Sequence, residues 1–198
     1  INIYGYTMIK QIHSFIIESD FPTEELMEKH KDWIIETYKK EIDKTIGLNV
    51  FTPNNNITIP LIYEFERYVQ NHFFTTPTYN NLFSHSVHNT KDTVVYSRSK
   101  LFIYVQKGGY KEPTFHNHIH SSYLSSVTYL NIPKEGGEIG FLLGKDEVKI
   151  KPKRNKIYFF PSWLYHAPYP HKDNINRICL NIDFESNTRV SPLSGEWW

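Results

Sequence analysis

The sequence predicts a mainly β domain behind a helical lead-in, an antiparallel sandwich or barrel of the jelly-roll or cupin type. Two patterns predict it. Helical spacing of apolar residues is confined to the first ninety or so positions. From Thr93 onward, short apolar runs alternate with turn chemistry. The 198 residues are 39% hydrophobic and 16% aromatic, enough apolar mass for one sizeable core and too much for a disordered chain.

A short apolar opening (Ile9, Ile12, Phe15, Ile16) leads to Phe21-Pro22-Thr23-Glu24-Glu25, which reads as a helix start. Proline is tolerated in a first turn, and the two carboxylates there complement the positive end of the helix dipole. Met27, Ile34, Tyr38, Ile42 and Ile46 continue at helical spacing, and Gly47 is a natural stop. After a Pro/Asn loop, Pro60 opens a second helical stretch with Leu61, Ile62, Phe65, Val69 and Phe73 on one face. Residues 75–92, rich in Thr, Asn, Ser and His, read as irregular chain. The predicted strands are Lys100–Gln106, Pro113–His120, Tyr123–Asn131, Glu138–Leu143, Glu147–Lys151, Lys156–Phe160 and Asn176–Phe184. Gly108-Gly109, Gly136-Gly137, Pro152–Asn155 and Pro170–Asn174 separate them. We find no internal repeat. One domain is expected over 1–198: helical support to 92, a β core over 93–185 and a tail over 186–198.

Twenty-two basic residues against 21 acidic ones leave a formal charge of +1. So small a charge gives no global field to steer the chain onto a phosphate backbone, which speaks against a nucleic-acid partner. The basic run Lys149–Arg154 is expected to be a solvated hairpin tip. A single cysteine, Cys179, rules out an intrachain disulfide and a cysteine-built zinc site. No apolar run approaches the roughly 20 residues that span a bilayer, and no signal segment is legible near the start. A soluble, cytoplasmic protein with no membrane partner is the expectation.

The most informative stretch is Thr114-Phe115-His116-Asn117-His118-Ile119-His120. On a strand, alternate residues share a face, so the three histidines would project together. Imidazole suits iron, zinc, copper and nickel, and two ligands at i and i+2 can hold adjacent corners of a coordination sphere. A third must come from another strand. His166, just past the apolar run Phe159-Phe160-Pro161, is available for it. Arg177 opens the apolar strand Ile178-Cys179-Leu180-Asn181-Ile182. Arginine is costly to bury unpaired, so it either meets an acid such as Asp173 or Asp183, or grips a ligand carboxylate.

In order, His-x-His, Ser-Ser-Val-Thr-Tyr-Leu-Asn, Gly-Gly-Glu-Ile-Gly-Phe, Phe-Pro-Ser-Trp-Leu-x-His and an Arg-Ile strand resemble the Fe(II)/2-oxoglutarate-dependent oxygenase superfamily. The likeness runs from about Lys100 to Phe184. It is nearest a branch found in marine bacteria and tailed phages, where His-x-His-Pro-Asn-Ser-x-Leu-Ser-Gly-Val-Tyr-Tyr recurs; a phage-encoded protein would fit that branch. The resemblance implies a double-stranded β-helix, Fe(II) as cofactor, and 2-oxoglutarate and O2 as cosubstrates. Hydroxylation of an unidentified peptidyl or small-molecule substrate, with release of succinate and CO2, would be the reaction. It assigns His118, His120 and His166 to the metal, with His116 and His118 as an alternative first pair of the same spacing. Arg177 and Tyr129 fall where the far carboxylate of 2-oxoglutarate would be held.

Two features depart from the superfamily pattern. The usual second member of the motif is Asp or Glu, whereas here it is histidine in either frame. Three neutral ligands would leave the metal one charge more positive, favouring a dianionic cosubstrate. Ser121-Ser122 is also one residue shorter than the Pro-Asn-Ser turn. Two other classes stay open: a three-histidine cupin-type dioxygenase that does not use 2-oxoglutarate, and a non-catalytic metal-stabilised β-sandwich binding module.

Overall fold

The structure, a computed structural model, describes residues 9–13, 16–30, 49–51, 96–109, 113–120, 122 and 124–186. Its strands are β1 (Ile9–His13), β2 (Ile16–Asp20), β3 (Asn49–Phe51), β4 (Tyr96–Lys107), β5 (Leu124–Asn131), β6 (Ile139–Leu143), β7 (Asp146–Ile150), β8 (Lys156–Pro161), β9 (His166–Pro168) and β10 (Asn176–Ser186). Among the described residues they form a major sheet in the order β1-β2-β8-β5-β10-β4-β3 and a minor sheet β7-β6-β9, with every pairing antiparallel. This is the expected mainly β jelly roll.

Val127, Tyr129, Tyr158, Phe160 and Cys179 of the major sheet pack with Ile139, Phe141 and Ile150 of the minor sheet in one buried cluster. Side chains alternate along a strand, so the same β10 that turns Arg177, Cys179 and Asp183 to this side turns Ile178, Leu180, Ile182 and Phe184 to the other. Those four are buried too. A sheet covered on both faces favours nearly unbroken apolar runs, which is why β8 and the middle of β10 are legible.

Three expectations need correction. The lead-in is not only helical, because β1, β2 and β3 extend the major sheet from both edges. These strands have three to five residues each, too few to establish a period of two against a helical one. Second, Pro113–His120 is not a strand. Its one bridge joins His116 to His166, Pro113 has no N–H to give, and Ser122 N–H turns back onto the His118 carbonyl at 3.0 Å. Third, β9 was not anticipated, being only three residues long. The predicted helical course through 31–46, the stretch from Pro60 to Phe73, the irregular segment 75–92 and the tail over 187–198 lie outside the described residues.

A helix over residues 23–30 does start where Phe21-Pro22-Thr23 placed it. Its cap is supplied from afar: Asn155 Oδ1 accepts Glu24 N–H at 3.0 Å, and Thr23 Oγ1 accepts Asn155 N–H at 2.7 Å. Asn155 reaches this pose with φ of 56°, a left-handed conformation asparagine tolerates. The basic run Lys149–Arg154 is not a hairpin tip, because β7 pairs in the minor sheet and β8 in the major one; on the connection between them Lys153 lies 3.0 Å from Glu18 and Arg154 3.2 Å from Glu24. Among the described residues no helix is long and apolar enough to cross a membrane.

Candidate metal centre

At one end of the two-sheet core, His116, His118 and His166 come together, with a ligand atom of each within 4.8 Å of the others. Ring centroids are 5.2 Å apart for His116–His118, 4.5 Å for His116–His166 and 5.0 Å for His118–His166. Backbone bonds set this up. His116 N–H donates to the His166 carbonyl at 3.0 Å, and His166 N–H returns the bond at 2.9 Å. His118 N–H donates to the Ser162 carbonyl at 2.7 Å. The turn Pro161–Leu164, closed by Leu164 N–H on the Pro161 carbonyl at 3.0 Å, swings the chain from β8 into β9.

Each imidazole is oriented through Nδ1. His166 Nδ1 lies 3.0 Å from the Leu164 carbonyl and His116 Nδ1 lies 3.2 Å from the Thr114 carbonyl. His118 Nδ1 meets the Asp183 carboxylate, at 2.8 Å from Oδ1 and 2.7 Å from Oδ2. Acceptors at all three positions put the proton on Nδ1 and the lone pair on Nε2, the tautomer a metal ligand needs. Burial pushes the His166 pKa down to about 3, helped by the charge of neighbouring His116. Burial likewise lowers His116. Both rings are therefore neutral at physiological pH.

That neutrality has a consequence for stability. An unfolded histidine takes a proton near pH 6.5, whereas folded His166 resists it down to about 3. Its contribution is complete above pH 6.5 and is lost as the pH falls toward 3, with a slope of about 1.4 kcal/mol per pH unit for one proton. Urea unfolding of the metal-free protein is expected to show stability falling steadily from about pH 6.5 downward. His166→Gln should flatten that slope, and an unchanged slope would contradict the assignment.

His120 is not part of the cluster; it lies on an exposed turn two residues beyond His118. The histidines that meet His166 are thus the His116–His118 frame. The reason is local: the chain is bridged only at His116, and it turns after His118 instead of continuing as a strand.

Arg177 is 1% exposed and has no acidic partner among the described residues. Its Nη1 donates to the Gly137 carbonyl at 3.0 Å and to the Tyr169 carbonyl at 3.4 Å, while its Nε has no partner among the described residues. Asp183 is committed to His118 and Ser125, and Asp173 accepts the Lys134 N–H. Gly137 permits the close backbone approach: its φ is 72°, and a Cβ there would fall 2.5 Å from Pro133. The guanidinium sits 5.9 Å from the ring centres of both Tyr104 and Tyr129. Burial raises the Tyr129 hydroxyl pKa, so it stays protonated as a donor.

Two residues here were missed. Gln106 lies directly across from Arg177 on β4, fully buried, with neither amide atom bonded among the described residues. Asp183 reads in the sequence only as a mate for Arg177. Its even spacing from Arg177 on one strand was the available signal that both face the core.

No known family's sequence profile matches this chain, and no curated protein matches it. Solved structures do. A prolyl-4-hydroxylase from Pseudomonas putida matches with a TM-score of 0.59 at 14% identity, covering 88% of this chain and 89% of that one. The fold is that of the prolyl hydroxylases. A Trichoplax adhaerens prolyl hydroxylase, solved with a hypoxia-inducible-factor peptide fragment, matches at TM-score 0.61 and 12% identity, over 87% and 84% of the two chains. The viral collagen prolyl hydroxylase of Paramecium bursaria Chlorella virus-1, solved as a 2OG complex, matches at 0.55 and 16%, over 86% and 95%.

Proposed function

We propose that this protein is an Fe(II)- and 2-oxoglutarate-dependent oxygenase that hydroxylates a peptidyl or small-molecule substrate. The observation that carries the reading is the pairing of two features in one β core: three imidazoles oriented through Nδ1, and a buried guanidinium without an acid among the described residues. The donor set suits Fe(II), and His116, His118 and His166 would hold it. The orphaned Arg177 Nε and the Gln106 amide suit a carboxylate deep in the core. Bound iron and 2-oxoglutarate would supply oxidative decarboxylation, giving succinate and CO2 with one oxygen atom delivered to the substrate.

The chain's own contributions follow from its geometry. Arg177, with Tyr129 beside it, would fix the far carboxylate and so orient the keto-acid end. Phe141 and Phe160, with ring centres 6.2 and 4.7 Å from that of His166, exclude water from the inner side of the site. Ile119 and Tyr165, the sequence neighbours of His118 and His166, are about half exposed and offer an apolar rim to an incoming substrate.

An all-imidazole donor set also fits a cupin-type dioxygenase that binds its substrate directly. Such an enzyme needs no guanidinium for a separate diacid cosubstrate, so Arg177 favours the first reading. Oxygen uptake and succinate formation on mixing protein, Fe(II) and 2-oxoglutarate test it. Turnover dependent on both additions is expected; oxygen uptake indifferent to 2-oxoglutarate would contradict it.

A further inference from the structure

Replacing the superfamily's Asp or Glu ligand by histidine removes a negative charge from the metal's surroundings, yet the structure keeps a carboxylate close by. Asp183 lies one imidazole away, bonded to His118 Nδ1 at 2.7–2.8 Å. It is 3% exposed and stands on β10, opposite Ser125 of β5. Ser125 Oγ donates to its Oδ1 at 2.7 Å. Because that proton is committed, Ser162 must donate across the 3.0 Å contact to Ser125, and Ser122 donates to Ser162 at 2.7 Å. Three hydroxyls in series thus point toward one carboxylate.

A buried carboxylate is costly unless its oxygens are hydrogen-bonded. Asp183 spends its bonding on His118 and on Ser125. Resting on the oxygenase reading, we infer that Asp183 is a positioning residue that returns the lost charge to the metal centre through His118. The Nδ1–H···carboxylate bond fixes the ring, holds the lone pair on Nε2 and pushes electron density onto that nitrogen, making His118 a stronger, partly anionic donor. The serine chain holds the carboxylate in place for this task.

The test uses the metal-free full chain titrated anaerobically with Fe(II), and separately with Co(II) to read the ligand field by absorption. Asp183→Asn keeps the shape and removes the charge. It is expected to weaken Fe(II) binding by about 10- to 100-fold and to shift the Co(II) bands, with the unfolding midpoint of the metal-free protein little changed. Ser125→Ala, which frees one carboxylate oxygen, should give a smaller loss in the same direction. Asp183→Glu should recover part of the affinity. A folded Asp183→Asn with wild-type Fe(II) affinity and unshifted Co(II) bands would overturn the inference and leave the three-histidine reading standing. Should Asp183→Asn not fold, wild-type affinity in Ser125→Ala would overturn it instead. If the wild-type chain binds neither metal, the oxygenase reading itself falls.

Discussion

Alanine at His116, His118 or His166 is expected to abolish Fe(II) binding and all 2-oxoglutarate turnover, whereas His120→Ala leaves both near wild-type. A residue that only orients a ligand is worth about 10- to 100-fold in metal affinity. Loss of one of three ligands should therefore exceed about 100-fold. His120→Ala is the informative control, since it has the same spacing from His118 as His116 does but lies on an exposed turn. Anaerobic Fe(II) titration of the four variants decides between the frames. If His120→Ala lost the metal and His116→Ala kept it, the geometric cluster would not be the metal centre.

Arg177→Met is expected to separate affinity from stability. The guanidinium is buried without an acid among the described residues, a state that costs several kcal/mol before a ligand arrives. Methionine fills much of the same space without that cost, so the variant should melt at or above the wild-type temperature in the absence of ligand. Truncating one partner of a buried charge pair costs about 3 kcal/mol, so its 2-oxoglutarate KM should rise at least about 100-fold. Ligand that binds only the folded state raises the melting temperature; wild-type should show that rise with 2-oxoglutarate and Arg177→Met should not. A variant that unfolds easily while keeping its 2-oxoglutarate KM would make Arg177 a structural residue.

The parts of the molecule that were legible share one property: their side chains answer to a single local environment. Strands β8 and β10 show as apolar runs bounded by Pro or Asn, because burial on both faces favours apolar chemistry at nearly every position. His166 and Arg177 stand out for the same reason, as polar residues at the margins of such runs. The histidine frame was not legible, because His116/His118 and His118/His120 have identical spacing. What separates them is a backbone bridge between residues 50 positions apart, His116 and His166. Asp183 was hidden differently. An acid in an apolar strand invites pairing with the nearest arginine, and only the packing of β10 against β5 shows that it serves His118 and Ser125 instead. The edge strands β1, β2 and β3 are too short to carry a period, so their place in the major sheet is set by tertiary pairing.

On the proposed reading, three imidazoles and one guanidinium hold a ferrous ion and a diacid in the same core. Anaerobic addition of 2-oxoglutarate to the Fe(II)-loaded protein, followed by visible absorption, tests it most directly. A metal-to-ligand charge-transfer band that grows with 2-oxoglutarate and saturates at one equivalent is the predicted result. Fe(II) bound at the site with no such band at any 2-oxoglutarate concentration would contradict it.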